Sequence, residues 1–162
     1  MAFDTVYTFL PDKIKLIVGG NVELEGWEKL TINHSFIKNR QVLGIRAKNT
    51  KVRNANTAAK VLVSLTQSSD SNKLFQYIID AEDNHDSLIR FKIELKDLSG
   101  GTLFESEEGY LEGYPKDISF TGTLGIREWT ILCDTSKLKI QGNKETNGTL
   151  LDNVIDKVTD FF

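Results

Sequence analysis

The chain has a single cysteine, Cys133, which excludes an internal disulfide and leaves a thiolate zinc site short of ligands. Its apolar neighbours in sequence assign it to the core as an inert thiol. Histidine is almost as scarce: His34 and His85 are the two in the chain, and neither stands at a metal-ligand spacing. No apolar stretch approaches the roughly 18 residues that a membrane-spanning helix requires, so no membrane partner is expected. Residues 1–8 carry Asp4 and no basic leader, and they do not read as a secretory signal. Maturation in a cytoplasm is the expectation, which makes the glycosylation patterns Asn33-His34-Ser35 and Asn147-Gly148-Thr149 chance matches.

Chemistry-bearing motifs are also missing. Gly19-Gly20 is not followed by the Gly-Lys-Ser/Thr of a phosphate-binding loop, and no Gly-x-Gly-x-x-Gly follows a strand. The acidic run at residues 80–86 lacks the glycine and the alternating ligand order of a calcium loop, and reads as a solvated helix end. Glu105, Glu107 and Glu108 could supply a general acid and base for a small hydrolase, yet nothing around them marks a buried pocket that would separate their pKa values. Trp27 and Trp129 read as core residues rather than a ligand-stacking platform. No catalytic residue, cofactor or metal is expected.

What is present is enough for one folded domain. At 162 residues the chain can bury about two-thirds of its unfolded surface. The expected boundaries are a single β domain over residues 1–142, with residues 1–12 as an N-terminal extension, then a linker and a helix over residues 143–162. Alternating apolar residues predict strands around 13–18 and 22–24, joined by the Gly19-Gly20-Asn21 turn, and further strands around 30–36 and 60–66. The clearest alternation is Ile89, Phe91, Ile93 and Leu95 against Arg90, Lys92, Glu94 and Lys96. Residues 103–115 form another strand region, which Pro115 bars from a central position at that end and which Ile118 and Phe120 would continue past a bend. Strands at 125–134 and 138–140 follow. Leu74, Phe75, Ile78 and Ile79 recur at helical spacing, predicting a helix over about 70–82, with Ser69 or Ser71 capping its first amides and Asp70 complementing its positive end. After a polar stretch at 141–149, Leu151, Val154, Ile155, Val158 and Phe162 fit a C-terminal amphipathic helix over about 150–161, its polar side acidic and therefore suited to protein rather than to lipid. The pattern is mainly β and antiparallel, either a sandwich or a small barrel, with a flanking helix.

Charge is segregated although its net value is only -3. No acidic residue falls between Glu28 and Asp70, where Lys38, Arg40, Arg46, Lys48, Lys51, Arg53 and Lys60 accumulate. Glu105, Glu107 and Glu108 lie in a later acidic cluster. Segregation of this kind marks a nucleic-acid footprint, complementary faces of a self-assembling subunit, or simply a set of solvated loop charges. The basic segment at 38–60 is a long exposed hairpin or a mobile loop, and it lacks the interleaved aromatics that stack single-stranded bases.

Four groups of residues stand in order along the chain: Lys15-Leu16-Ile17-Val18-Gly19-Gly20 with Leu24-Glu25-Gly26; Ser64-Leu65-Thr66-Gln67-Ser68-Ser69-Asp70-Ser71-Asn72; Ile93-Glu94-Leu95-Lys96-Asp97-Leu98-Ser99-Gly100-Gly101-Thr102; and Arg127-Glu128-Trp129. With them, about residues 13–142 resemble the tail tube proteins of contractile-tailed bacteriophages, the PhiTE-type tube family. The resemblance implies a structural protein: six copies close into a ring through inter-subunit sheet pairing, and rings stack head to tail into a hollow tube that conducts DNA. It also implies as partners a contractile sheath protein, a tape measure protein and phage DNA in the lumen, and baseplate and tail terminator proteins. The location implied is the virion tail, assembled in a host bacterial cytoplasm. By position in the family, the 38–60 segment is the hairpin that reaches a neighbouring subunit or ring. Lys38, Arg40, Arg46, Lys48, Lys51 and Arg53 would then face acidic partners such as Glu105, Glu107 and Glu108 on an adjacent copy. A headless contractile particle and a β-barrel binding module using residues 38–60 are the alternative readings.

Overall fold

The computed structural model describes residues 6–7, 11–34, 37–44, 48–142 and 145–146. Among these residues there are twelve strands: β1 (Val6–Tyr7), β2 (Ile14–Val18), β3 (Val22–Glu23), β4 (Trp27–His34), β5 (Asn39–Leu43), β6 (Asn49–Arg53), β7 (Ala59–Thr66), β8 (Phe91–Asp97), β9 (Leu103–Leu111), β10 (Ile126–Cys133), β11 (Lys137–Lys139) and β12 (Glu145–Thr146). One α-helix, α1 (Ser71–His85), sits between β7 and β8. The main sheet runs β3-β2-β8-β9-β10-β7-β4, with β11 paired to β9 beside the end of β10, and all of its pairings are antiparallel.

The choice between sandwich and barrel is decided by one short connection. β3 and β4 are the two outer strands of the main sheet, yet only Leu24, Glu25 and Gly26 separate them in sequence. Such a link spans at most about 15 Å, so the two edges of the sheet must come close together. The sheet is therefore curled into an almost closed barrel. Leu24, the first residue of the link, is buried, and its amide still donates to the Leu16 carbonyl at 2.8 Å.

The alternation read from the sequence supplies the interior. Leu16, Val18, Val61, Val63, Leu65, Ile93, Leu95, Phe104, Leu111, Trp129, Ile131 and Cys133 form one buried cluster. The α1 face of Phe75, Ile78 and Ile79 joins it, with Phe75 and Trp129 ring centroids 5.1 Å apart. Fully burying an aromatic or branched aliphatic side chain contributes about 1.5–3 kcal/mol, enough for this face alone to hold the helix on the sheet. The helix is longer than the spacing predicts. It continues to His85 and ends at Asp86, a non-glycine residue in the left-handed region (φ 48°) whose amide donates to the Glu82 carbonyl.

Several expected boundaries change. The strand region at 103–115 stops at Leu111, and the segment between β9 and β10, where Ile118 and Phe120 lie, contains no strand and exposes both residues. β9 also contains a bulge: Phe91 pairs with Gly109 but Ile93 pairs with Ser106, so one extra residue is taken up at Glu107-Glu108. Both glutamates thereby face outward while Ser106 and Gly109 stay buried. The 38–60 segment is a hairpin, β5 with β6, and Ala59 already belongs to β7. The polar stretch at 141–149 is not purely a linker, because β12 within it pairs with β1 of the N-terminal extension. The predicted C-terminal helix lies outside the described residues.

Candidate assembly surfaces

Three of the residue groups that carry the family resemblance, far apart in sequence, meet in one hydrogen-bonded knot, and the remaining group forms a second. In the first, the Leu24-Glu25-Gly26 link is fastened to the start of α1. Ser69 Oγ donates to the Glu25 carbonyl at 2.5 Å, the Glu25 amide donates to Ser71 Oγ at 2.9 Å, and the Thr66 amide donates to the Gly26 carbonyl at 2.9 Å. Gly26 is required here, since its φ is 73° and a Cβ would lie 2.8 Å from the Ser69 side chain. Asn72 extends the knot to β10. Its side-chain amide donates to the Thr66 and Ser69 carbonyls, both at 3.0 Å, and its Oδ1 accepts from Trp129 Nε1 at 2.9 Å.

The expected helix cap is borne out for Ser69 and not for Ser71. The N-cap residue is Asp70, which has helical dihedrals and makes no side-chain capping bond. Ser69 Oγ does accept from the Ser71 amide at 3.2 Å, but the Ser71 hydroxyl is turned to Glu25. For Ser71, closing the curled sheet takes precedence over capping the helix, because the link would otherwise leave an unpaired backbone amide at the seam. Asp70 forms an exposed ion pair with Lys73 instead.

The second knot is the turn after β8. Asp97 Oδ1 accepts from the Ser99 amide, the Ser99 hydroxyl and the Gly100 amide at 2.7–3.0 Å, while the Asp97 amide donates to the Thr102 carbonyl at 2.9 Å. Thr102 Oγ1 then donates to the Gln141 carbonyl at 3.0 Å. The motifs hold the fold together, and their polar atoms are occupied by one another rather than presented to a ligand.

Of the basic assembly candidates, Lys38, Arg40, Lys48, Lys51 and Arg53 are exposed on or beside the β5–β6 hairpin, and Arg46 lies outside the described residues. Register places Lys51 and Arg53 with Gln41, Leu43 and Asn39 on one face; Arg40, Val42, Thr50 and Val52 occupy the other. Every residue of both strands is exposed, apolar ones included, and Leu43 and Ile37 are 71% and 75% exposed. Among the described residues these two strands pair only with each other.

The acidic candidates sit apart from the hairpin, on β9, and two of them already face bases of the same chain. Glu108 lies 3.1 Å from Arg90, which also reaches Asp134 at 3.4 Å, and Glu107 lies 3.5 Å from Lys92. Glu105 is half-buried opposite Glu94 and Lys137. Lys96 and Lys92 flank Glu94 at 2.9 and 3.1 Å, and their hydrogen bonds hold its carboxyl below the ordinary carboxylate range. Lys92 is raised in turn, by its bond to Glu94 first and by Glu107 next. The signal for this ladder was in the sequence, as the outward set Arg90, Lys92, Glu94 and Lys96.

Cys133 is buried, and its thiol is pushed up by burial first, with the Ser106 hydroxyl opposing. His34 and His85 are exposed. No cluster of metal-ligating side chains occurs among the described residues. One surface escaped the sequence reading: Tyr114, Ile118, Phe120, Leu124 and Ile126, in and beside the connection between β9 and β10, are all 49–80% exposed. No periodicity marks them, because the segment is neither strand nor helix.

No family model matches the chain. It is 28% identical over 115 residues to "Structural protein ORF10" of Pseudomonas phage KPP10, a match that takes in 70% of this chain and 66% of the relative, just under two-thirds of the relative's length. Among solved structures, it superposes on a chain of the anti-feeding prophage tube-terminating cap with TM-score 0.60 and 8% identity, covering 86% of this chain and 96% of that one. A chain of the sheath-tube complex of the PVC extracellular contractile injection system gives TM-score 0.59 and 10% identity over 83% and 93%. A chain of the sheath/tube terminator of the same system gives TM-score 0.52 and 12% identity over 83% and 98%. The phage relative is described as a structural protein, and the similar solved chains come from tube, sheath and cap assemblies. The resemblance to the tail tube family read from the sequence holds, and the described residues have a mainly β fold with one α-helix that is similar to chains of the tube and cap assemblies of contractile injection systems.

Proposed function

We propose that the chain is the protomer of the inner tail tube of a contractile phage tail, closing into hexameric rings that stack into a hollow, DNA-conducting tube within the virion. The observation that carries this reading is the β5–β6 hairpin. A two-stranded hairpin exposed throughout is marginal alone in water, and this one presents Val42 and Val52 together on a face with no partner strand. Its apolar residues and bases suit a surface completed by another subunit. The outer edge of β4 adds to it, since eight residues of strand with one side unpaired would invite uncontrolled association unless a defined neighbour covers them. A ring answers that need, because each copy's edge is covered by the next. The sheath would surround this tube, tape measure protein and DNA would occupy it, and baseplate and terminator proteins would close its ends. A headless contractile particle would use the same protomer.

A second reading, a tube-terminating ring, is favoured by the likeness to cap and terminator chains. Negative-stain microscopy of the purified full-length protein at high concentration separates the two. Hollow tubes support the tube protomer, isolated rings support the terminator, and a protein that stays monomeric at all concentrations refutes both.

A further inference from the structure

Beside α1 lies an open groove of about 440 Å³, lined by Tyr114, Pro115, Ile118, Phe120 and Trp129 among others. Phe120 is 80% exposed, and the only charged side chains in the lining, Lys73 and Arg127, are both basic, Lys73 being already paired with Asp70. The groove is a built feature. Tyr114 OH accepts from Gln76 Nε2 at 3.0 Å, Arg127 lies over the Phe120 ring at 5.2 Å, and Gln67 ties down Gly125 through both its amide and its side chain. A contiguous exposed apolar surface rimmed by charge marks an interaction site.

Resting on the reading that copies of this chain associate, we propose that this groove receives the C-terminal segment, residues 147–162, of a second copy. The sequence of that segment is the complement of the groove. Leu151, Val154, Ile155, Val158 and Phe162 recur at helical spacing, and Asp152, Asp156 and Asp160 outnumber Lys157. An acidic, apolar-faced segment fits an apolar groove with a basic lining. The chain path favours a second copy over the same one. Gln141 is bonded to Thr102 at the start of β9, whereas the groove begins beyond the far end of that strand, about 30 Å away along its residues. Ten residues from Gln141 to Leu151 reach only about 35 Å when fully extended, and β12, within them, is already paired to β1. The tail of a second copy is not tethered at the start of this β9 and is free of that limit.

The test uses full-length protein with two single-cysteine variants, one carrying Lys116→Cys beside Pro115 and a tag, the other carrying Asp156→Cys. The native Cys133 is 2% exposed and contributes little background. On mixing and treatment with a short bismaleimide, a tagged-untagged heterodimer is expected, and adding Phe120→Asp to the tagged variant should cut its yield about tenfold, as replacing a large apolar contact by a charge does. Linkage found only within single chains of the double variant overturns the second-copy proposal. Tubes that assemble without the cross-link also overturn it, assigning the groove to another protein such as a surrounding sheath, while the tube reading stands. If neither tubes nor cross-links form, both readings fall.

Discussion

Replacing Asn72 by alanine should destabilise the monomer by about 2–4 kcal/mol, and most of that should be traceable to a single partner. Asn72 makes three side-chain hydrogen bonds, to the Thr66 and Ser69 carbonyls and from Trp129 Nε1. The two carbonyls are partly insured: Thr66 O still accepts from the Ser69 amide at 3.0 Å, and Ser69 O from the Asn72 amide at 3.3 Å. The indole N–H has no such substitute, and Trp129 is 4% exposed, so its donor would stay buried and unpaired at a cost of about 1–3 kcal/mol. Loss of the two weaker bonds adds about 1 kcal/mol more. For a chain of this size the sum corresponds to a fall in Tm of about 4–16 °C. Urea denaturation of Asn72→Ala, Trp129→Phe and the double variant separates the contributions. In the Trp129→Phe background no donor is left stranded, so the double variant should lose about 1 kcal/mol or more less than the sum of the single losses. Additivity within about 0.3 kcal/mol would refute the idea that this bond joins helix to sheet.

Reversing Lys48, Lys51 and Arg53 to glutamate, on or beside the exposed hairpin, should abolish polymerisation while leaving the monomer's far-UV spectrum and Tm within a degree or two; normal tubes from that variant would remove the hairpin bases from the interface. Glu94, held below the ordinary carboxylate value of 4.5 by Lys96 and Lys92, contributes stability that is present above that value and lost as pH falls through its lowered pKa. Glu94→Gln should therefore flatten the stability profile below about pH 4.5, measured by urea titration, and an unchanged acid slope would show the ladder to be inert. Cys133 should resist thiol reagents in the native protein and react on unfolding, because burial keeps it protonated and covered; rapid native labelling would contradict its place in the core.

The sequence alone determined the elements whose residues alternate or recur with a clean period. β7, β8 and β10 are central strands whose inward side chains are nearly all apolar, and the spacing of Phe75, Ile78 and Ile79 left one helical face to bury. Burial on one side is a local pattern, so it is legible residue by residue. The motif order was legible too, and with it the tube fold. Tertiary structure decided what those motifs are for. That Ser69, Ser71 and Asn72 close a sheet seam with Glu25, Gly26 and Trp129 depends on bringing together segments 44 to 57 residues apart, and no local signal distinguishes this from an ordinary helix cap. The bulge that turns both Glu107 and Glu108 outward toward Lys92 and Arg90 is likewise a product of strand register. So is the barrel itself, since only the pairing order reveals that a three-residue link joins the two edges of one sheet. The groove formed by Tyr114, Ile118 and Phe120 was hidden for a different reason: an irregular segment has no period, and its apolar residues acquire meaning only when α1 and Trp129 are set beside them.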